Sequence, residues 1–158
     1  MFLLIKISLT QAQDVQILEE GNMKVEFSLS QDTVRLLIEA PTTGWVAVGF
    51  NGKNDIVHTD LKMMRVVEGK GEVEDQYVQG PGIHPQDLEI GGAQDVYVSS
   101  ASEMNGKTLL EIKIPSHTGD RFDFEVNKGE SLWLILAYSV SDDFDQHSRW
   151  RRHFEVTF

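Results

Sequence analysis

Two histidines, His58 and His147, are the side chains of this sequence best suited to ligate a metal ion. His58 lies in the polar segment that follows the apolar run GWVAVGF, which begins at Gly44. His147 lies just beyond a second long apolar run near the other end of the chain. Neutral imidazole is a common metal ligand, and the loops that follow two strands can meet at one end of a sheet. The pattern is therefore compatible with one ligand held between two distant loops.

The neighbours of both histidines add to this hypothesis. If residues 56–60 are extended, Ile56 and His58 project from the same face of the strand. Arg149 and Arg151 closely follow His147, and a guanidinium there could pair with a carboxylate of the ligand. The simpler alternatives are that His58 is a polar loop residue bonded to a neighbour and that the arginines form a solvated face.

Composition excludes several classes of function. The 158 residues carry 14 Lys and Arg against 25 Asp and Glu, a net charge of −11, which opposes binding to the phosphates of nucleic acid. The absence of cysteine excludes disulfides, thiolate metal sites and a covalently attached c-type haem. The sequence has no Gly-x-Ser-x-Gly, His-Glu-x-x-His or Gly-rich phosphate-binding motif, so we expect a protein that is not an enzyme.

The elements that must position these residues are strands, because apolar residues recur with a period of two. Asn105-Gly106 between two apolar runs predicts a tight hairpin. We therefore predict an all-β, single-domain protein, an immunoglobulin-like sandwich of two antiparallel sheets with at most one or two turns of helix. Residues 80–92 should form a long irregular connection. The predicted strands are residues 24–29, 33–39, 44–50, 60–67, 95–99, 108–114, 131–139 and 149–158, with Val46, Val48, Leu134 and Leu136 on core-forming strands.

The first residues have two interpretations. Residues 1–12 contain a short apolar run and a small-residue pattern, so they are either the remnant of a signal peptide or a first strand, and the domain proper is residues 13–158. No other stretch approaches the ~20 apolar residues that span a bilayer. We expect a domain that is secreted, periplasmic or held at the cell surface.

A set of short motifs in a fixed order resembles the DOMON domain family. They are GWVAVGF at residues 44–50, Asp60, Asp75-Gln76-Tyr77, Pro85-Gln86-Asp87, Thr118-Gly119-Asp120, LWLILAYS at residues 132–139 and finally His147. That family is an extracellular β-sandwich related to the cytochrome domain of cellobiose dehydrogenase and to the domain beside dopamine β-hydroxylase. The resemblance covers residues 22–158.

The resemblance implies a ligand-binding role. Some family members hold a b-type haem between a methionine and a histidine, and others bind sugars or act as interaction modules. His147 falls on the family's histidine, whereas the methionine position holds Ile56. The favoured expectation is therefore haem b ligated by His147 and His58, with Arg149 and Arg151 near its propionates and electron transfer to a redox partner protein. The alternative is a carbohydrate-binding or protein-interaction module without haem, and this alternative is favoured if Ile56 and its neighbours fill the haem slot.

Overall fold

The structure, a computed structural model, describes residues 14–158, and the predicted signal remnant or first strand at residues 1–12 lies outside them. Within these residues, ten strands form two five-stranded antiparallel sheets, and one helical turn lies in a connection between strands. The first sheet has the strand order β1-β2-β3-β8-β7 and the second the order β10-β9-β4-β5-β6. The elements are β1 (Gln16–Glu20), β2 (Met23–Ser30), β3 (Thr33–Ala40), β4 (Val46–Asn51), β5 (Asp60–Val67), β6 (Lys70–Tyr77), α1 (Asp87–Ile90), β7 (Tyr97–Met104), β8 (Lys107–Pro115), β9 (Ser131–Tyr138) and β10 (Trp150–Thr157).

The hydrophobic core lies between the two sheets and confirms the predicted sandwich. Val46, Val48 and Leu134 are fully buried, and Leu136 is 2% exposed. Alternate residues of β3 and β8 supply the facing layer, because side chains alternate along a strand. Phe27 and Phe158 pack at the edge of this core with ring centroids 5.0 Å apart. The fold class read from the sequence is therefore correct.

The hairpin that joins β7 to β8 is built on the predicted Asn-Gly turn. Asn105 and Gly106 have φ angles of 55° and 74°, which asparagine and glycine tolerate at little cost. Two strands were not predicted, β1 and β6. The sequence of β6, KGEVEDQY, is highly charged, so it lacks the alternation of apolar and polar residues by which a strand is recognised.

The second sheet is covered on both faces, so all six residues of β4 are buried. Val46 and Met64 point into the core, whereas Ala47 and Met63 point to the outer face. We call the residues on that face the outer apolar cluster, and its members are Trp45, Ala47, Leu61, Met63, Val78 and Ala137. Two loop residues, Ile56 and Phe144, pack against this face and cover part of it.

The predicted irregular connection at residues 80–92 contains α1, a single turn of helix that ends at Gly91 with φ 92°. Among residues 14–158, no helix has the length and apolar character needed to cross a membrane.

Candidate functional site

The loop that carries His58 runs from β4 to β5 and is held by one asparagine. The Asn51 amide donates to the carbonyl oxygens of Asp55 at 2.8 Å and Val57 at 3.0 Å, and its Nδ2 is 3.0 Å from Thr59 Oγ1. His58 adopts a φ of 68°, so residues 56–60 turn rather than extend. The expectation that this segment is extended is wrong, because hydrogen bonds to the side chain of Asn51 hold the loop in a turn against the sheet.

The turn gives Ile56 and His58 different surroundings. Ile56 packs on the outer apolar cluster. The His58 ring is exposed and its Nδ1 lies 3.0 Å from the hydroxyl oxygen of Tyr77. His58 therefore interacts at the β6 side of the sheet, as in the simpler of the two interpretations of this residue.

His147 lies in the loop from β9 to β10, which is fastened to the start of β4. Ser139 N donates to Trp45 O at 2.9 Å, and Trp45 N donates to Ser141 O at 3.0 Å. The His147 side chain is exposed, and its carbonyl oxygen accepts a bond of 3.3 Å from Ser139 Oγ. This anchoring is why a cofactor-sized ligand at His147 would have to lie near the Trp45 end of the sheet.

The arginines near His147 lie on β10 or just before it. The side chains of Arg149 and Arg151 are exposed. Arg152, five residues beyond His147, pairs instead with Glu20 at 3.0 Å. Arg149 and Arg151 therefore remain available to a carboxylate-bearing ligand at this edge of the second sheet.

The two histidine loops lie at opposite ends of β4. The His58 loop joins β5 where Phe50 pairs with Asp60, whereas the His147 loop leaves β9 where Tyr138 pairs with Val46. Four residues of strand separate these two positions, about 13 Å at ~3.3 Å per residue. Ligation of one iron by His58 and His147 stays a prediction, and it requires the loops to bridge this distance.

The residues that would hold a haem fit that group only in part. His147 offers a free imidazole, and Arg149 and Arg151 offer two guanidinium groups. However, Ile56 and Phe144 already pack on the outer apolar cluster, where Ala47 is 2% exposed and Met63 is 3% exposed. A flat apolar slot beside His147 would require both covering side chains to move.

An open groove of about 800 Å³ lies beside this cluster. Its walls come from β5, β6, the connection around α1 and the loop after β9. The lining residues are Arg65, Glu74, Gln76, Gln79, Gly82, Ile83, His84, Pro85, Gln86, Glu89, Ile90, Asp143, Phe144 and Asp145. Neither His58 nor His147 lines it.

Hydrogen bonds fix the polar wall of the groove. Gln76 is buried, and its Nε2 donates to Glu74 Oε2 at 2.7 Å while its Oε1 lies 2.7 Å from His84 Nδ1. Backbone pairing of Gln76 with Gln86 and a bond of 3.1 Å from Tyr77 N to Pro85 O hold the connection against β6. The wall thus presents oriented donors and acceptors before any ligand arrives.

Phe144 and Arg65 form the opposite side of the groove. The guanidinium carbon of Arg65 lies 4.6 Å from the Phe144 ring centroid, a cation–π contact. Arg65 also donates to Glu72 at 2.8 Å and to the carbonyl oxygen of Asp142 at 3.0 Å. These contacts fix the loop that carries Phe144 over the second sheet.

A buried charged cluster lies on the opposite face of the same two strands, β5 and β6, inside the sandwich. Lys62 is fully buried, and its ammonium contacts Asp60 at 2.6 Å, Asp123 at 2.8 Å and also Asp75. Burial opposes the charge of Lys62, but the three carboxylates outweigh it and raise the pKa of the ammonium above its usual value. Burial raises the pKa of Asp60 to about 7 despite the opposing effect of Lys62.

The sequence indicated one wall of the groove, the irregular connection at residues 80–92, but it did not indicate this cluster. Lys62 occupies a core-facing position in β5, between Asp60 and Met64, and a lysine there is the signal that could have indicated a buried ion pair. The other walls of the groove have no comparable signal, because their residues come from β5, β6 and the loop after β9.

Comparison with known proteins places the chain in a family. The family model described as the DOMON domain matches residues 19–139. The chain belongs to the DOMON domain family. His147 lies beyond the matched range, so its role does not follow from this match.

One relative of this DOMON domain is a much longer protein. The mouse (Mus musculus) protein "DBH-like monooxygenase protein 2" is 24% identical over 128 residues, which are 80% of this chain and 20% of the relative. The chain thus spans about a fifth of that relative's length.

Two solved structures resemble the DOMON domain described above. The cytochrome domain of Myriococcum thermophilum cellobiose dehydrogenase has a TM-score of 0.63 at 12% identity, over 92% of this chain and 82% of that one. The cytochrome b domain of pyranose dehydrogenase from Coprinopsis cinerea has a TM-score of 0.66 at 10% identity, over 92% and 81%. At this identity the likeness concerns the fold.

Proposed function

We propose that this DOMON domain is a non-catalytic carbohydrate-binding module that acts outside the cytoplasm and holds its ligand in the groove beside Phe144. The observation that carries the proposal is the fixed polar wall formed by Glu74, Gln76 and His84. Sugar hydroxyls both donate and accept hydrogen bonds, so they need side chains of both kinds in set positions. The Glu74 carboxylate and the His84 imidazole, both oriented by the buried Gln76, offer acceptors, and the amides of Gln79 and Gln86 in the same lining supply both kinds of group.

The shape of the groove also supports a saccharide. It is open and lies along the sheet, which suits an extended chain of sugar rings more than an enclosed cofactor. The Phe144 ring adds an apolar surface beside the polar wall, and the apolar faces of pyranose rings can pack on such a ring. Because the wall is ordered in advance, binding costs less entropy at these side chains.

The acidic character of the groove argues against a ligand with several negative charges. Four carboxylates line it, those of Glu74, Glu89, Asp143 and Asp145, and within residues 14–158 none of the four forms an ion pair. Arg65, the guanidinium of the lining, already pairs with Glu72. A neutral saccharide avoids the repulsion that two haem propionates would meet here.

A glycan array followed by calorimetric titration tests the proposal. We expect Phe144→Ala and His84→Ala to weaken binding of a selected glycan at least tenfold, because each removes one side of the groove. Tyr97→Ala is the matched control, since Tyr97 is an aromatic residue 60% exposed on the first sheet. Equal affinity in all three variants, or no binding to any glycan, would count against the groove as a sugar site.

Haem b is the second candidate ligand, and it is favoured by the exposed imidazole of His147 beside Arg149 and Arg151. His147 would hold the iron and the two arginines would pair with the propionates, while bound haem would supply a redox centre for electron transfer to a partner protein. An absorption spectrum after addition of haemin tests this. A sharp Soret band that is lost in His147→Ala supports haem, and an unchanged spectrum in that variant excludes His147 as the ligand.

A further inference from the structure

A chain of hydrogen bonds decides which atoms of the groove's polar wall can accept a proton. The Glu74 carboxylate can only accept, so the 2.7 Å bond to it comes from the Nε2 amide of Gln76. Gln76 Oε1 is then an acceptor, and the proton of its 2.7 Å contact with His84 belongs to Nδ1 of the imidazole. Because Gln76 is 3% exposed, its amide is held in this orientation.

The wall therefore offers acceptors to a ligand. A neutral imidazole that donates through Nδ1 has a lone pair on Nε2. The free atoms of the wall are thus the Nε2 of His84 and the carboxylate oxygens of Glu74, and both residues line the groove. A ligand group that donates several hydrogen bonds and accepts none fits such a wall best.

The opposite side of the groove is acidic as well. Asp143 and Asp145, the sequence neighbours of Phe144, line it there, and Glu89 of α1 lines it on the side of the wall. Phe144 lies between the two aspartates, so a ligand that packs on the ring meets carboxylates beside it. The groove thus presents negative charge to both edges of an extended ligand.

The positive charge of the lining does not balance these carboxylates. The guanidinium of Arg65 pairs at 2.8 Å with Glu72, which does not line the groove. Its central carbon lies 4.6 Å from the centroid of the Phe144 ring. A cleft lined by one sign of charge concentrates ligands of the opposite sign, so the groove favours a cationic ligand.

We propose, on the basis of the carbohydrate-binding function above, that the ligand is an oligosaccharide with protonated amino groups, a β-1,4-linked chain of 2-amino-2-deoxy sugars. An ammonium group has three donors and no acceptor. Hydrogen bonds from it to a carboxylate are about twice as strong as those between neutral groups. Successive rings of a β-1,4-linked chain point their C2 substituents alternately to its two sides, and the groove has carboxylates on both sides.

Two amides and the aromatic ring favour a sugar over a basic peptide. Gln79 and Gln86 line the groove and supply both donors and acceptors, which suits the remaining ring hydroxyls. The apolar face of a pyranose ring can pack on Phe144. A lysine side chain would use the carboxylates and leave these amides without a partner.

Calorimetric titration with three hexasaccharides tests the proposal. All three have β-1,4 linkages and differ only at C2, which carries a hydroxyl in cellohexaose, an amine in the glucosamine hexamer and an acetamide in the N-acetylglucosamine hexamer. Titrations are made in mildly acidic buffer, which keeps the amines protonated, with about 0.15 M salt to screen charges more than ~8 Å apart. We expect the amine hexamer to bind at least tenfold more tightly than either of the others.

Variants that remove one carboxylate locate the effect. Glu74→Gln and Asp143→Asn should each reduce the ratio of amine-hexamer to cellohexaose affinity by about two- to fivefold, the effect of one partly exposed charge. Glu19→Gln is the matched control, because Glu19 is an exposed carboxylate on β1 of the first sheet. It should keep the wild-type ratio. Equal losses in all three variants would overturn the proposal, since the amines would then respond to the net charge of −11 as a whole.

The remaining outcomes separate this proposal from the proposed function. If cellohexaose or the acetamide hexamer binds as tightly as the amine hexamer, and Phe144→Ala weakens that binding, the groove is a sugar site and the amine preference is wrong. If tetralysine binds as tightly as the amine hexamer, the groove recognises cations rather than amino sugars, and the proposal is overturned. If none of the three hexasaccharides binds, both the amine preference and the sugar site are wrong.

Discussion

Replacement of Lys62 by methionine should destabilise the domain strongly. The variant keeps a side chain of similar length but leaves Asp60, Asp75 and Asp123 without their shared ammonium. Two unit charges 2.8 Å apart, as in the contact with Asp123, interact by about 6 kcal/mol at an effective dielectric constant of ~20. The desolvation of the buried ammonium offsets much of this, so removal of one partner of a buried pair costs about 3–5 kcal/mol.

Chemical and thermal denaturation of Lys62→Met measure this loss. For a domain of 158 residues, a change of 3–5 kcal/mol corresponds to a fall in Tm of about 6–20 °C. Lys107→Met is the control, because the Lys107–Glu39 pair lies on the surface with side chains 52% and 38% exposed, and solvent screening leaves such pairs little effect on stability. Equal losses in the two variants would refute the reasoning that burial makes the Lys62 interactions strong.

Three further outcomes are expected. Gly49→Ala should lower the free energy of unfolding by about 1–3 kcal/mol, because its Cβ would lie 2.5 Å from the Thr59 methyl carbon, and Thr59→Ser in the same chain should restore most of the loss. The free energy of unfolding should fall as the pH rises from about 4 to 7. Asp60 and Asp87 have a pKa of about 7 in the folded state against 3.8 for an unperturbed aspartate, so the folded state holds more protons than the unfolded state across that window. Denaturant titrations at several pH values check this, and a rise in stability over the window would contradict it. Removal of residues 1–12 should leave a domain that unfolds cooperatively, whereas loss of cooperativity would show that they form a structural strand.

The sandwich could be predicted because local sequence and global fold agree over most of the chain. Alternation in β3 and β8 gives the core-facing residues, and Asn105-Gly106 gives the hairpin. The strand β6 was not predicted, because some of its charged residues are buried: Asp75 contacts Lys62 inside the protein. A polar residue that is buried for an ion pair breaks the alternation by which strands are recognised.

The candidate site was harder to predict, because it depends on where loops turn. The sequence places His58 two residues after Ile56, but the positive φ at His58 sends the two side chains to different neighbours. The hydrogen bonds from Asn51 that cause this turn have three partners, Asp55, Val57 and Thr59, which all follow Asn51 in the sequence. No periodicity encodes contacts of this kind, since they form only when the loop closes on the sheet.

Amide chemical-shift mapping of the ¹⁵N-labelled domain, titrated with a glycan selected on the array, tests the central claim most directly. The account predicts that the largest shifts fall on residues 74–90 and 143–145, which form the two sides of the groove. Shifts confined to the first sheet, or an absence of shifts with every glycan while haemin shifts the amides around His147, would contradict it.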